Sequence, residues 1–291
     1  MAARLILNAD DFGLTRGINR AIGELHAAGA LTSATLMATG AAFDDAVTIA
    51  RANPTLGVGC HIVLVDGTPL SPPETIPSLL GADGKNFRTS ATDFFFAAMR
   101  GKINAEEVER EALAQIQKLQ AAGIAVTHID THKHTHVLPQ IARPVLTAAQ
   151  SAGVRAVRNP FEPVWSIQRG NGSLASNIKL RVLRSQQPRF LALPQIRDGR
   201  ILTTNGTLGI AATGSMEAAT LRAMLNALPE GLWELVCHPG YNDRDLDAIT
   251  TRLRQSREIE REALLATFGR ESANPFPALL IHYGDVAPTN H

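Results

Sequence analysis

Two clusters of side chains in this sequence could do chemistry together. Asp10 and Asp11 end the first apolar run, and Asp130-Thr-His-Lys-His-Thr-His136 ends a later one. Carboxylates and imidazoles are the oxygen and nitrogen donors of metal-hydrolase sites, in which a divalent cation with open positions activates water. Such groups are useful only if the fold brings them together. Arg4-Leu-Ile-Leu-Asn8 reads as a short buried strand, which sets the two carboxylates where it opens into a loop. Ala125-Val-Thr-His-Ile129 is another strand-like run, and His132, His134 and His136 stand just beyond it. In parallel α/β proteins all strand C-termini open on one face, and catalytic groups collect there.

Further candidates point to the same rim. His61 lies in or at the end of a third strand; alone it would read as a packed core residue, and the other two clusters change that reading. An extended segment would set His128, Asp130, His132, His134 and His136 on one face. A loop must break that alternation, so one or two of them can touch a cation, and the rest contact substrate or orient the ligands. His238 precedes Pro239-Gly240 at the end of yet another strand, and Glu234 shares its parity, as an orienting group or a salt-bridge partner. Cys60 and Cys237 face the other way and read as inert buried thiols. Trp165 is a candidate for stacking on a sugar or for packing. Phe94-Phe-Phe96 is the small core of a lid or an apolar face for a lipid-linked substrate.

The elements that must position these residues alternate. Apolar runs at 4–8, 34–37, 56–63, 125–130, 154–157, near 208, 232–237 and 278–282 read as strands. Between them lie helical patterns over 42–53, 139–151, 215–228 and 248–268, one in which Ile18, Ala21, Ile22 and Leu25 share a face, and a long helix after a capping box at Asn104-Ala-Glu-Glu107. Seven or eight β–α repeats in 291 residues suit an α/β, TIM-like barrel, distorted or incomplete, in a single catalytic domain spanning 1–291. No GxGxxG follows the first strand, which weakens a dinucleotide-binding sheet. Loop insertions rich in Pro, Gly, Ser and Asn run over about 66–101 and 159–207, where substrate recognition is expected.

Composition narrows the partners. Lys plus Arg number 28 against 27 Asp plus Glu, a net +1 that does not point to nucleic acid. Two cysteines without CxxC spacing argue against a disulfide framework and a thiolate zinc site. No apolar run is long enough for a transmembrane segment, and no signal-peptide core precedes Asn8. A cytoplasmic protein is expected.

The motifs Asn8-Ala-Asp-Asp-Phe-Gly13, Gly59-Cys-His61, His128-Ile-Asp-Thr-His-Lys-His-Thr-His136-Val-Leu-Pro139 and Glu234-Leu-Val-Cys-His-Pro-Gly240 resemble the YdjC-like carbohydrate deacetylases. That family includes chitooligosaccharide deacetylases and deacetylases associated with hopanoid biosynthesis. The resemblance implies a TIM-like deacetylase barrel with one divalent cation on Asp11, His61 and His132. It implies Mg, while the donor set admits Zn, Mn or Co. By analogy with the wider group of metal-dependent polysaccharide deacetylases, Asp10 is the general base, His238 the general acid, and Arg158 a weaker match to an arginine that steadies the base. Asp130, His134, His136, Glu234 and Trp165 remain for substrate or for orienting the ligands.

Removal of an N-acetyl group from an N-acetylglucosamine-containing substrate is the activity the resemblance implies. Pro160-Phe-Glu-Pro163 and the triple phenylalanine look most like the hopanoid-associated branch, which implies an N-acetylglucosaminyl hopanoid and association with the inner membrane surface. Two Trp and two Tyr are a thin supply for the open aromatic groove of a chitooligosaccharide enzyme. A metal-independent glycoside hydrolase and a catalytically silent sugar-binding barrel are the rival readings, and a homo-oligomer is compatible with either.

Overall fold

Arg4–Phe12 forms β1, the strand on which the molecule is organised. The computed structural model describes residues 3–170, 172, 174–270 and 278–286, with the backbone alone for 174–176 and 179. Eight further strands follow: β2 (Ser33–Leu36), β3 (Gly57–Ile62), β4 (Ile129–Thr131), β5 (Ala156–Val157), β6 (Leu202–Thr203), β7 (Gly206–Leu208), β8 (Leu232–Cys237) and β9 (Leu279–Ile281). They form one sheet in the order β6-β5-β4-β3-β2-β1-β8-β7. Every ladder is parallel. One edge of β1 is shared, β9 pairing with Arg4–Ile6 and β2 with Asn8–Phe12. The two ends of the strand order, β6 and β7, are separated along the chain only by Thr204 and Asn205. A sheet whose edges are tied that closely must curl, and the result is a distorted TIM-like α/β barrel.

Strand parity divides the side chains between two environments. Leu5, Leu7, Ala9, Leu235 and Cys237 face outward into the main hydrophobic core. That core also takes the buried faces of α1 (Arg16–Ala27), α2 (Phe43–Ala52), α3 (Ala91–Met99), α4 (Ala105–Ala121) and α5 (Pro139–Ser151). Inside the barrel, Ile6, Ala156, Leu232 and Tyr283 make a small separate apolar plug. Beyond that plug, towards the strand C-termini, the buried positions are polar: Asn8, Asp10, Thr35, His61, His128, Asp130, Arg158, Thr207 and Glu234. Gly59 lies among them because a Cβ there would come 2.4 Å from the His128 ring. No helix among the described residues is long and apolar enough to cross a membrane.

Several boundaries differ from the sequence expectation. β1 runs on through Asp10 and Asp11 instead of ending at Asn8. The fourth strand begins at Ile129 and the fifth at Ala156, with the residues before them held only by isolated bonds such as Thr127 N to Val58 O, 2.9 Å. The expected helix 215–228 is shorter, Ala218–Leu225. The helix expected from 248 starts at Gln255, because Thr251 Oγ1 accepts from Leu253 N, a local bond that competes with helix. Only half of the capping box forms. Asn104 accepts from Glu106 N, whereas the Glu107 carboxylate accepts from Ser78 N at 2.7 Å.

That last bond belongs to a wider pattern: both insertions are anchored to the barrel. Glu111 accepts from Leu70 N and Ser71 N, so α4 pins the first insertion through two carboxylates. Within it, Ile76, Leu79, Leu80, Phe87 and Phe94 are buried. In the second insertion Phe161, Ile167, Phe190 and Leu193 are buried among short helices. Phe94 fills the small-core role that the triple phenylalanine suggested, while the other apolar anchors are single residues in otherwise polar sequence.

Candidate active site

Strict alternation along β1 would send Asp10 inward and Asp11 outward. The β1–β2 register slips between Ala9 and Phe12, and Asp11 takes φ 65°, the left-handed region. This bulge turns Asp11 back, so that both carboxylates reach the barrel mouth. The His132–Val137 turn is distorted in the same way, with φ 54° at Lys133 and 52° at His134. Of the four non-glycine residues with positive φ among the described residues, three therefore border one site, the pattern expected where geometry is held against local preference.

Within this mouth, His61 Nε2 lies 3.2 Å from His132 Nδ1 and 3.7 Å from Asp11 Oδ1, and His132 Nδ1 lies 3.6 Å from Asp11 Oδ1. A point equidistant from the three atoms is about 2.0 Å from each, the bond length of Zn or Mg to nitrogen and oxygen donors. These residues could hold a metal ion. Behind them, His61 Nδ1 donates to Asp130 Oδ1 at 2.7 Å, which leaves Nε2 for the cluster. Burial alone would lower the His61 pKa, but Asp130, with Asp10 and Asp11, raises it to about 9. Burial would likewise raise Asp11, yet Arg257 and His132 hold it well below the usual carboxylate range.

Arg158 is the hub of the lumen. Its Nη1 and Nη2 fork onto Asp10 Oδ2 and Oδ1 at 2.8 and 2.6 Å. Nη1 also lies 2.5 Å from Asp130 Oδ2, and Nε donates to Glu234 Oε1 at 2.8 Å. Burial works against all three carboxylates; Arg158 wins at Asp10 and Asp130, which are lowered, and loses to burial at Glu234, which is raised. Glu234 Oε2 accepts from Tyr283 Oη at 2.5 Å, and the Tyr283 ring stacks on His128 at 3.9 Å. A second cluster, Asp10, His61 and Asp130, has carboxylates already paired with this guanidinium and reads as the support of the first.

His238, at the end of β8, brings Nε2 to 3.8 Å from Asp10 Oδ2. Its backbone N–H donates to Glu260 Oε2 at 2.6 Å, and its Nδ1 is buried without a hydrogen-bond partner. His136 is drawn inward by Thr131 and donates through Nε2 to the Arg158 carbonyl at 3.2 Å, supporting the hub from its backbone. The His134 ring is half-buried, its Nδ1 has no partner, and burial lowers its pKa to about 3. Trp165 is not brought to this cluster: its ring packs edge-on against Trp233, on the outer parity of β8 from Glu234. Of the three phenylalanines, Phe94 is core and Phe96 is 48% exposed. Cys60 and Cys237 are buried, and burial raises both thiols far above their ordinary range.

Arg257, Glu260 and Tyr283 are among the site residues that sequence reasoning missed, as is Thr35, whose Oγ1 lies against Asp10, His61 and Asp130. Arg257, Glu260 and Tyr283 lie beyond the last motif, on a helix and a turn that carry no signature of their own.

The family described as YdjC-like protein matches residues 4–272. A carbohydrate deacetylase of Brevibacillus brevis is 44% identical over 54% of this chain and 60% of its own length. The human carbohydrate deacetylase is 32% identical over 82% of this chain and 75% of its own. A solved structure from Enterococcus faecalis V583, provisionally assigned to cellobiose-phosphate cleavage, is 26% identical, with a TM-score of 0.77 over 97% of this chain and 98% of that one.

Proposed function

The chain belongs to the YdjC-like family, and from that premise we propose that it is a metal-dependent carbohydrate N-deacetylase acting on an N-acetylglucosamine-containing substrate. One observation carries the reading: the ligand atoms of Asp11, His61 and His132 converge on a single point, beside a carboxylate and an imidazole 3.8 Å apart. An acetamide resists attack because its carbonyl is resonance-stabilised and its amine leaves poorly. A cation held by Asp11, His61 and His132 would acidify water and polarise the acyl carbonyl.

The protein's own groups supply the rest. Asp10, kept ionised by Arg158, takes the proton of the attacking water. His238 gives a proton through Nε2 to the departing nitrogen. The proton gained by Asp10 balances the one lost by His238, and its return across the 3.8 Å between Oδ2 and Nε2, through an intervening water, resets the site. Asp130 fixes the His61 ring, and Arg158 fixes Asp10 against Asp130 and Glu234. His134, whose half-buried ring belongs to the His132–Val137 turn, is the group assigned to the sugar.

The narrower substrate reading is a lipid-linked sugar, N-acetylglucosaminyl hopanoid. Its support is α3, which packs on the His132–Val137 turn and leaves Phe96 and Met99 48% and 58% exposed. Acetate release from N-acetylglucosamine oligomers and conjugates, with and without a chelator, tests the reaction class. Release that stops on chelation and returns with Mg, Zn, Mn or Co is the expected result. Chain cleavage without acetate, indifferent to the chelator, would make the protein a glycoside hydrolase instead.

A further inference from the structure

The helix Gln255–Phe268 carries two buried charges that the reaction above leaves unused. Arg257 and Glu260 stand three residues apart, so they share a face, and each is 1% exposed. Both reach motif ends. Glu260 Oε2 takes the backbone N–H of His238, and Arg257 Nη2 donates to Asp11 Oδ2 at 2.6 Å. The other two guanidinium nitrogens donate to carbonyls, Nε to Leu253 at 3.0 Å and Nη1 to His238 at 3.5 Å. The guanidinium thus meets the far oxygen of Asp11, while the near oxygen, Oδ1, faces His61 and His132.

We infer that Arg257 is a positioning residue for the metal cluster, reserving Asp11 Oδ2 so that Asp11 offers a cation one oxygen only. The inference rests on the reading that Asp11, His61 and His132 hold that cation. A carboxylate free at both oxygens can bind a cation through both, and the second oxygen would fill a position that hydrolysis needs open. A cationic donor on the far oxygen also draws electron density from the carboxylate, so the bound cation remains the stronger Lewis acid. The sign of the effect follows. Removing Arg257 makes Asp11 a better ligand and the site a worse catalyst, whereas removing a ligand would weaken binding and catalysis together.

Cobalt(II) separates these cases, since its visible bands weaken as coordination number rises. Wild type, Arg257→Gln and Arg257→Lys are stripped of metal and titrated with Co2+ by calorimetry and absorption, and kcat and KM are measured. Arg257→Gln is expected to bind Co2+ at least as tightly as wild type with a weaker band. Its kcat falls about tenfold to a hundredfold, the range seen when the partner of a metal ligand is lost, while KM barely moves. Arg257→Lys, which keeps a charge beside Asp11, recovers part of both and carries the comparison if the glutamine variant does not fold. A wild-type band and wild-type kcat in the variants would overturn the role of Arg257 and leave the metal cluster standing. Failure of the wild type to bind Co2+, Zn2+, Mn2+ or Mg2+ would overturn the cluster itself, and this inference with it.

Discussion

The Arg158 guanidinium and the Asp10 carboxylate meet as a parallel fork, at 2.8 and 2.6 Å, with neither side chain more than 3% exposed. The same guanidinium serves Asp130 and Glu234, so three buried carboxylates share it. Removing it strands them in a medium where each is poorly solvated. Arg158→Met should lower unfolding free energy by about 3–5 kcal/mol, the range for breaking a buried pair, with acetate release down about a hundredfold or more. Arg158→Lys keeps the charge but not the fork, and should recover stability more than activity. Urea denaturation alongside an acetate assay checks both, and a methionine variant as stable as wild type would contradict the hub.

Tyr283 closes the network from below. Its hydroxyl is 2.5 Å from Glu234 Oε2, and its ring stacks on His128. Tyr283→Phe keeps the stack and deletes the donor, leaving Thr207 Oγ1 at 3.2 Å as the other donor to that oxygen. A loss of about 1.5–3 kcal/mol is expected, as for a bond to a charged partner. Denaturant midpoints unchanged within error would mean that Glu234 does not depend on this bond.

How much of this was legible in the sequence follows from where each residue sits along a strand. Asp10, His61, Asp130, Glu234 and His238 are legible because parity and strand ends give them a common rim and the motifs contain them, whereas Arg158 lies outside the motifs and is reached only through the resemblance. The inward turn of Asp11 was not legible, since it depends on a bulge that parity cannot register. The break in the histidine run was expected, but its left-handed turn at Lys133 and His134 was not. Arg257 lies 246 residues after Asp11 on an ordinary amphipathic helix, so only the packing of that helix on the barrel assigns it a partner. Tyr283 entered no sequence reading because its partner, Glu234, is set by the way β9 joins β1. Barrel closure was hidden similarly: β6 and β7 look like one irregular stretch until their separate partners, β5 and β8, are known.

Two histidines away from the proposed ligands make stability depend on pH. Burial is the leading cause that pushes His128 down to about 3 and His136 down to about 4, from 6.5. A depressed histidine binds fewer protons folded than unfolded, so its contribution is complete above about 6.5 and is lost as pH falls towards the folded value. By pH 4.5 each ring should remove about 2–3 kcal/mol relative to pH 7. Carboxylates titrate in the same window, so the informative quantity is a difference. His136→Gln keeps a donor for the Arg158 carbonyl and cannot take the proton. Its melting temperature should fall below wild type at pH 7 and converge on it by pH 4.5; parallel curves would show that His136 does not titrate in that window.

Phe96 and Met99 test the substrate without touching the reaction. They stand three residues apart on α3, half-exposed, on a helix that packs against the histidine turn, while Phe94 beneath them belongs to the core. An apolar aglycone lying across them would lose roughly 1–2 kcal/mol if the ring were removed, which is about a fivefold to thirtyfold rise in KM. Phe96→Ser should therefore raise KM for N-acetylglucosaminyl hopanoid in detergent and leave diacetylchitobiose unchanged. Stability should shift by no more than about 0.5 kcal/mol, as for an ordinary surface substitution. An equal effect on both substrates would mean that the ring supports the histidine turn rather than a lipid. No effect on either, together with wild-type preference for the free disaccharide, would remove the lipid-linked substrate and leave N-deacetylation of a soluble sugar.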